Sequence, residues 1–313
     1  MWSSGNSRAC PKRMPTSETG SRGMTQDNIP VALSSASVYP LNVHDAFALA
    51  SDLGYDGVEV LVTGNQISQH PGKLMDLSAR YDQPIMAIHA PTLLLTQQVW
   101  GNAWNKIEMS AAMAEEVGCD VVVVHPPFRW QGTYATGFAE GVARIMEEHG
   151  VKIAVENMYP WRARGREALM YLPHWDPVPQ PYDYVTWDFS HAAIADMDSH
   201  RAMVELGERL SHVHLCDGRN NSKDEHLVPG RGTQPVAEAM THLRDSRWQG
   251  VVAVEVSTRR AKGAGEREEW LGETLEFARR HLAPNDDAAS DAEGADAVPG
   301  GQVADADQVP RAP

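Results

Sequence analysis

The chain has 313 residues, of which 42% are hydrophobic and 22% are charged, and its formal net charge is −15. This composition favours one large globular domain, and the acidic balance argues against a nucleic-acid surface covering the whole protein. The sequence has no apolar stretch of about eighteen residues and no secretory leader, so we expect a cytoplasmic protein that does not enter a membrane. Its three cysteines, Cys10, Cys119 and Cys216, are too dispersed for a disulfide framework or a thiolate zinc motif.

Both ends of the chain lack an apolar period. Residues 1–28 are polar and contain Gly, Ser and Pro, and residues 284–313 form an acidic, low-complexity segment. We predict that both ends are disordered and that residues 29–283 form the catalytic domain. Met24 closely precedes the first apolar run, so we interpret the residues before it as an upstream extension.

Short β-branched runs alternate with longer amphipathic segments along this domain. The runs are VALSSA, GVEVLV, IMAIHA, DVVVVH, VKIAVE, YVTWDF, SHVHLC and GVVAVEV. Several intervening segments have a helical apolar period and end in glycine, which is a helix stop signal. Eight such alternations without antiparallel hairpin signals predict an α/β fold, a single-domain (β/α)8 TIM barrel. The fifth connection, residues 158–184, is long and proline-rich, and we expect it to include an active-site loop.

A polar side chain that can bind metal stands at the last inward position of seven runs. These residues are Glu59, His89, His125, Glu156, Asp188, His214 and Glu255. The C-terminal strand ends of a parallel barrel meet at one mouth, so these side chains are expected to converge there. A hydrogen bond in the core explains any one of them alone, but carboxylates packed together need a compensating cation. Oxygen and imidazole ligands predict a divalent ion: zinc, manganese, cobalt or magnesium.

Further candidates follow the sixth and seventh runs. His191 stands three residues after the carboxylate of the sixth run and is expected to reach the same mouth from above. Asp224 and His226 are two residues apart, so they face the same way if their loop is extended. Gly230 and Gly232 follow them and allow the backbone to turn close to a ligand.

The motifs at these positions resemble those of the xylose-isomerase-like TIM barrels. This superfamily joins sugar isomerases and epimerases to the endonuclease IV type of apurinic-site nuclease, AP endonuclease family 2. The motifs are IHAPT, VVVHPPF, IAVENM, DFSHAAIADMD, HVHLCDG, DEHLVPGRG and VAVEV, and the resemblance spans about residues 29–282.

The two branches of this superfamily imply different metal sites. The isomerase branch implies one divalent ion held by Glu156, Asp188, His214 and Glu255. The nuclease branch implies three zinc ions held by nine ligands, which are these four together with His89, His125, His191, Asp224 and His226. The resemblance therefore implies one to three ions, and the ligand set alone does not choose between the branches.

The loops favour a small substrate over DNA. The loops after the first three runs contain a single cation, Lys73, whereas gripping DNA requires cations near the phosphates. Basic residues cluster after the fifth, seventh and eighth runs instead, which suits a compact anion such as a sugar phosphate; solvated loop charges are the alternative interpretation. These residues are Arg162, Arg164, Arg166, Arg219, Lys223, Arg231, Arg259 and Arg260.

The leading hypothesis is a metal-dependent isomerase or epimerase of a sugar or sugar phosphate. The ion would chelate a carbonyl and an adjacent hydroxyl and lower the cost of an enediolate, with Glu156 and Glu255 as general base and acid. The expected substrate contacts are Glu59, Trp161, His191 and Arg231, where Trp161 covers a sugar face and Glu59 orients either substrate or a ligand. The alternative is a zinc-cluster phosphodiesterase that incises apurinic DNA, the one case with a nucleic-acid partner. A metal-binding barrel without catalysis is the third hypothesis.

Overall fold

Parallel strands close into a barrel in this protein. The computed structural model describes residues 28–92, 96, 98–163 and 166–284, without the side chain of Ala163. The ten strands are β1 (Val31–Ser34), β2 (Gly57–Leu61), β3 (Ile85–His89), β4 (Val121–Val124), β5 (Lys152–Glu156), β6 (Trp161–Ala163), β7 (Arg166–Ala168), β8 (Tyr184–Asp188), β9 (Leu210–Leu215) and β10 (Val251–Val254). Eight of them pair in the closed order β1-β10-β9-β8-β5-β4-β3-β2. The predicted (β/α)8 TIM barrel is confirmed, and each predicted run supplies one barrel strand.

Helices follow the strands and pack around the barrel. They are α1 (Val43–Leu53), α2 (Pro71–Tyr81), α3 (Ala103–Val117), α4 (Thr133–Thr136), α5 (Phe138–His149), α6 (Phe189–Ala195), α7 (Ser199–Leu206), α8 (Val236–Asp245) and α9 (Ala264–Leu282), with short 3-10 turns at Ile67–Gln69, Arg129–Gln131 and Gly207–Arg209. Their ends follow sequence signals: Asn42 caps α1 by accepting the His44 N–H, and Gly54 ends it with φ 80°. None of the described helices combines the length and the apolar character that crossing a membrane requires.

Apolar side chains pack on both faces of the sheet. The larger core joins strand residues such as Val60 and Val122 to helix residues such as Phe47 and Ile145. A smaller cluster lies inside the barrel and consists of Ala87, Val121, Val123 and Ala154. These side chains form the floor of the barrel. Because side chains alternate along a strand, the next inward positions of the same strands lie at the mouth.

The connection after β5 contains a hairpin, contrary to the expectation that the domain has no antiparallel pair. β6 and β7 are antiparallel, and Trp161 pairs with Ala168. Each strand has only three residues, fewer than the roughly four to eight that make an alternating pattern recognisable, so the sequence carries no clear strand signal there. The hairpin forms a separate two-stranded sheet. Apart from Asn28 and Pro284, the two ends predicted to be disordered lie outside the described residues.

Candidate metal centre

Three carboxylates, two of them fully buried and that of Glu255 half-buried, converge on His214, in the seventh barrel strand. His214 Nδ1 lies 2.8 Å from Glu255 Oε2, 3.0 Å from Glu156 Oε1 and 3.7 Å from Asp188 Oδ2. These four residues are the inner set. Their ligand atoms all lie within 4.8 Å of one another. The structure therefore brings together the four residues that the isomerase branch implies as ligands.

Strand register and one asparagine place the inner set. Asp188 and His214 are direct partners in the β8–β9 pairing, so both side chains stand at the same level of the barrel. Asn157, directly after β5, holds the backbone of Asp188: its Oδ1 accepts the Asp188 N–H at 2.6 Å, and its Nδ2 donates to the Asp188 carbonyl at 3.0 Å. The Asp188 carboxylate also caps α6 by accepting the His191 N–H at 2.7 Å.

Five more candidate ligands surround the inner set at the mouth, and we call them the outer set. They are His89, His125, His191, Asp224 and His226. His125 Nε2 lies 2.8 Å from Glu156 Oε2, and His89 Nε2 lies 3.6 Å from the same oxygen. Asp224 stands between two imidazoles, 3.3 Å from His191 Nε2 and 3.0 Å from His226 Nε2. All nine candidate ligands therefore lie in one mouth.

Glu59 lies beneath the inner set and is fully buried. Its Oε2 lies 3.2 Å from His214 Nε2 and 2.7 Å from His212 Nε2. The sequence offers two roles for Glu59, to orient substrate or to orient a ligand. The Glu59 carboxylate has no exposed surface, and its contact with His214 suits the second role. His212 supports Glu59 from below.

Burial and close opposite charges shift the pKa values of the inner set. Burial opposes the charge on Glu156, but His214 and His125 outweigh it and hold the pKa of Glu156 well below its ordinary value. Burial likewise opposes the charge on His214, but Glu255 and Glu59 raise the pKa of His214 well above its ordinary value. In the metal-free protein, protonated imidazole therefore balances the carboxylates, and a divalent cation can take over that charge.

The residues present fit the divalent ion that the resemblance implies. Two donors on one ion at about 2.0–2.2 Å lie at most about 4.4 Å apart, so small side-chain adjustments suffice to bring the inner set onto one ion. Glu156 Oε2 is buried and has no hydrogen-bond partner among the described residues, although His125 Nε2 lies 2.8 Å away. An unsatisfied buried carboxylate oxygen facing a ring nitrogen is expected where both atoms are ligands.

A cavity of about 430 Å³ opens above the outer set. Its polar lining includes His125, His191 and Asp224, and its apolar lining includes Phe128 and Trp161. His191 Nδ1 is 2.9 Å from the carbonyl of Asn157, which fixes the ring beside the cavity. Two of the predicted substrate contacts, Trp161 and His191, therefore face one space next to the candidate metal ligands.

Sequence similarity assigns this barrel to a family. A profile of the family described as xylose isomerase-like TIM barrel matches residues 47–281. The chain belongs to this family. An uncharacterized protein of Mycobacterium tuberculosis (strain ATCC 25618 / H37Rv) is 46% identical over 274 residues, covering 81% of this chain and 98% of that protein.

More distantly similar proteins include sugar epimerases. Fructoselysine 3-epimerase of Escherichia coli O157:H7 is 23% identical over 244 residues, covering 70% of this chain and 86% of the enzyme. The crystal structure of a D-tagatose 3-epimerase-like protein has a TM-score of 0.59 at 23% identity, covering 82% of this chain and 100% of that chain. The apo structure of 3-keto-D-glucoside 4-epimerase from E. coli has a TM-score of 0.58 at 16% identity, covering 79% and 99%. At these identities the two structures show a shared fold.

Arg231, a predicted substrate contact, pairs with a helix in this structure and does not line the cavity described above. The Arg231 guanidinium turns outward to pair with Glu273 of α9 and lies 5.6 Å from the ring centre of Trp270. Pairing with a carboxylate and an aromatic face on the helix stabilises the cation there. Arg219 is likewise paired, with its Nη2 2.7 Å from Glu225 Oε1. Among the described residues of the predicted basic cluster, Arg162 alone lines the cavity.

Three residues that support the site were missed by the sequence analysis. Asn157 holds Asp188, as described above. Ser190 Oγ donates to Asp224 Oδ1 at 2.7 Å and accepts the His226 N–H at 3.1 Å. Asp217 is buried and accepts backbone N–H groups from the loop that carries these ligands. Each residue lies within a motif quoted above, but the hydrogen bonds that define its role join segments distant in sequence.

Proposed function

We propose that this protein is a divalent-metal-dependent isomerase or epimerase acting on a sugar. The observation that carries the proposal is the placement of two glutamates, Glu156 and Glu255, around His214, next to His125 and His191, which line the cavity. Fructoselysine 3-epimerase is similar in sequence to 70% of this chain. Solved structures of an epimerase and of an epimerase-like protein have the same fold as this chain. Both similarities support the same class of reaction here. The ion, when bound, would polarise a sugar carbonyl and the hydroxyl on the adjacent carbon. This would acidify the C–H bond of the carbon that carries that hydroxyl.

The chain itself would supply proton transfer and orientation. Attraction by His214 overcomes burial and lowers the pKa values of Glu156 and Glu255, so each carboxylate is ionised and able to accept a proton. When one of them removes the carbon-bound proton, the other must first take up a proton from solvent in order to return it to the opposite face. Their strands, β5 and β10, are separated in the barrel by β8 and β9, so the two carboxylates approach a bound sugar from different directions. His191 would hydrogen-bond a substrate oxygen, and Trp161 would cover a sugar face.

Exchange of a carbon-bound proton tests the proposal. Protein loaded with Mn²⁺ in D₂O is expected to wash deuterium into D-fructose or D-allulose beside the carbonyl. Glu156→Gln and Glu255→Gln should each lower the exchange rate by roughly 10²- to 10⁴-fold, the contribution of a general base. The matched control is Glu273→Gln, which removes a surface carboxylate on α9 and should exchange at the wild-type rate.

Apurinic-site phosphodiester cleavage is the second candidate. The observation in its favour is that all nine ligands of the nuclease branch lie in one mouth. Against it, the described basic residues Arg219 and Arg231 are paired with carboxylates and Arg162 is held by a carbonyl, so few cations face DNA phosphates. We expect no incision of an abasic duplex. Zinc-dependent incision that disappears in His125→Ala would replace the isomerase proposal with this one.

A further inference from the structure

An aromatic wall borders the cavity on the side formed by the loops after β4 and β5. The wall consists of Phe128, Trp130, Trp161 and Tyr171. Phe128 is its centre: its ring lies 4.4 Å from Trp130 in a stacked arrangement, 4.9 Å from Tyr171 and 6.0 Å from Trp161, centre to centre. Phe128, Trp161 and Tyr171 line the cavity directly, and Trp130 extends the wall to the surface.

Main-chain hydrogen bonds between the two loops build the wall before any ligand arrives. Phe128 and Tyr171 form an antiparallel β-bridge. The Arg129 N–H donates to the Met170 carbonyl at 2.8 Å, and the Leu172 N–H donates to the Pro127 carbonyl at 2.9 Å. A preformed surface loses little entropy when a ligand binds, so its rings are available at low cost.

Two tryptophans of the wall are exposed to solvent. Trp130 is 56% exposed and Trp161 is 37% exposed. Contact between apolar side chains and water is unfavourable. A cluster of exposed aromatic side chains therefore commonly marks a surface that a partner or ligand covers. Trp161 lines the cavity and stands beside Trp130, and three residues of the outer set, His125, His191 and Asp224, line the same cavity. The wall and the candidate metal centre therefore border the same space.

The cavity is larger than the part of a sugar that would contact the ion. Only a carbonyl and one hydroxyl of a sugar would contact the ion, whereas a volume of about 430 Å³ lies in the range of roughly 300–1,000 Å³ that holds drug-sized ligands. The apolar lining, which includes Met158, Pro160 and Ile194 besides the wall, is poorly suited to a hydrated sugar chain. It suits a ring whose C–H face packs on aromatic side chains.

The charges around the cavity oppose a phosphate. Arg162 Nη1 already donates to the Ile194 carbonyl at 2.8 Å, and its Nε lies 3.8 Å from Glu167 Oε2. Asp224 places a carboxylate in the same lining. Phosphate binding requires several free donors, and Arg162 is the one cationic guanidinium among the described lining residues.

From this geometry we propose the class of substrate: a neutral sugar conjugate in which the sugar bound at the ion carries a second ring, such as another sugar unit, that packs on the aromatic wall. The inference rests on the proposed function, since it places the reacting sugar at the metal centre. It replaces the expectation of a sugar phosphate, because the charges needed for that anion are already engaged.

Three ketoses that differ only in the group on one oxygen test the inference. They are D-fructose, D-fructose 6-phosphate and isomaltulose, which carries a glucosyl ring at the position of the phosphate. Affinities are measured by calorimetry on the full chain loaded with Mn²⁺. We expect isomaltulose to bind at least tenfold more tightly than the other two ketoses. Trp161→Ala and Trp130→Ala should each reduce this preference roughly three- to tenfold, the effect of one lost aromatic contact.

The control variant is Met109→Ala, which removes an apolar side chain of similar exposure, 47%, from α3 on the outer helix ring. It should leave the preference unchanged. Three results overturn the inference: no binding of isomaltulose at millimolar concentration, equal or tighter binding of D-fructose or its phosphate, or an unchanged preference in both tryptophan variants. Deuterium exchange is recorded on the same samples. Exchange without a preference for the ring contradicts this inference alone, and a preference without exchange in any ketose contradicts the proposed function.

Discussion

His214 shows how a single residue organises the candidate site. One ring nitrogen faces the three carboxylates of the inner set, and the other faces Glu59, 3.2 Å away and fully buried. A carboxylate that accepts the second N–H of a metal-binding histidine fixes the tautomer and the ring orientation. Glu59 is in turn fixed by His212 Nε2 at 2.7 Å. The chain of contacts from His212 to His214 therefore sets the direction of the nitrogen that faces the ion.

Substitution of Glu59 tests this arrangement. Glu59→Gln retains the shape of the side chain but removes the charge that holds the His214 ring, so Mn²⁺ affinity should fall roughly ten- to hundredfold. Affinity is measured by metal titration in a chelator buffer. Glu273→Gln removes a surface charge of the same kind and should bind Mn²⁺ like the wild type. Unchanged affinity in a folded Glu59→Gln protein would show that Glu59 does not orient His214.

The loop between β9 and α8 is the element that carries Asp224 and His226 to the mouth. Asp217, at its start, gathers the loop by accepting main-chain hydrogen bonds at 2.8–3.2 Å from Gly218, Gly230, Gly232 and Gln234. Asp217 and Leu227 also exchange two main-chain hydrogen bonds, at 2.8 and 2.7 Å. These bonds place His226, next to Leu227, beside the inner set.

Two glycines of this loop provide a matched pair of variants. A Cβ on Gly232 would overlap Asp217 Oδ1 and the Gly218 carbonyl, whereas a Cβ on Gly230 meets nothing within 4 Å. Gly230 has φ +83°, so Gly230→Ala should cost about 1–2 kcal/mol of backbone strain and leave Mn²⁺ binding intact.

Gly232→Ala should instead displace the loop. We expect an overpacking cost of about 1–3 kcal/mol together with weakened Mn²⁺ binding, because the shift moves Asp224 and His226. Denaturant unfolding and metal titration measure the two effects. If Gly230→Ala weakened Mn²⁺ binding more than Gly232→Ala, the proposed role of the close contact at Asp217 would be wrong.

At the scale of the whole molecule, the barrel is closed by its first and last elements. β1 pairs with β10, and α9 packs on β1, β10, α1 and α8. α9 buries four apolar side chains, Leu271, Leu275, Ala278 and Leu282. All strands of the closed sheet and the helix that covers its seam thus lie within residues 31–282.

Two shortened chains test this boundary. A chain of residues 28–284 should unfold cooperatively and bind Mn²⁺ as the full chain does. A chain of residues 28–262 lacks α9, and each lost leucine contact removes roughly 1.5–3 kcal/mol from a typical total of about 5–15 kcal/mol, so it should not unfold cooperatively. Calorimetry distinguishes the two. A non-cooperative transition in the longer chain would show that residues outside this range support the barrel.

The sequence by itself determined the barrel and the inner set. The eight apolar runs predicted the strands, and the side-chain alternation of a strand is a local property, so Glu156, Asp188, His214 and Glu255 could be assigned to one mouth before any contact was known. Position at a strand end identified these four candidates together with Glu59, His89 and His125, and the family resemblance implied which four hold a single ion. The same alternation accounts for the interior side chains Ala87, Val123 and Ala154, which lie in the barrel floor two residues before His89, His125 and Glu156.

The tertiary structure alone decided where the loop side chains go. Arg231 pairs with Glu273, forty-two residues away along the chain, and Phe128 meets Tyr171 across two loops. Loop residues have no period that fixes their direction, so such partners are set by packing between distant segments. The strand pattern correctly placed Glu59 on the inward face. Its depth beneath His214 depended on the stagger between neighbouring strands, which the closed barrel sets. Periodicity along one strand specifies a direction, whereas depth, pairing and cavity shape arise only when all eight strands and their loops are assembled.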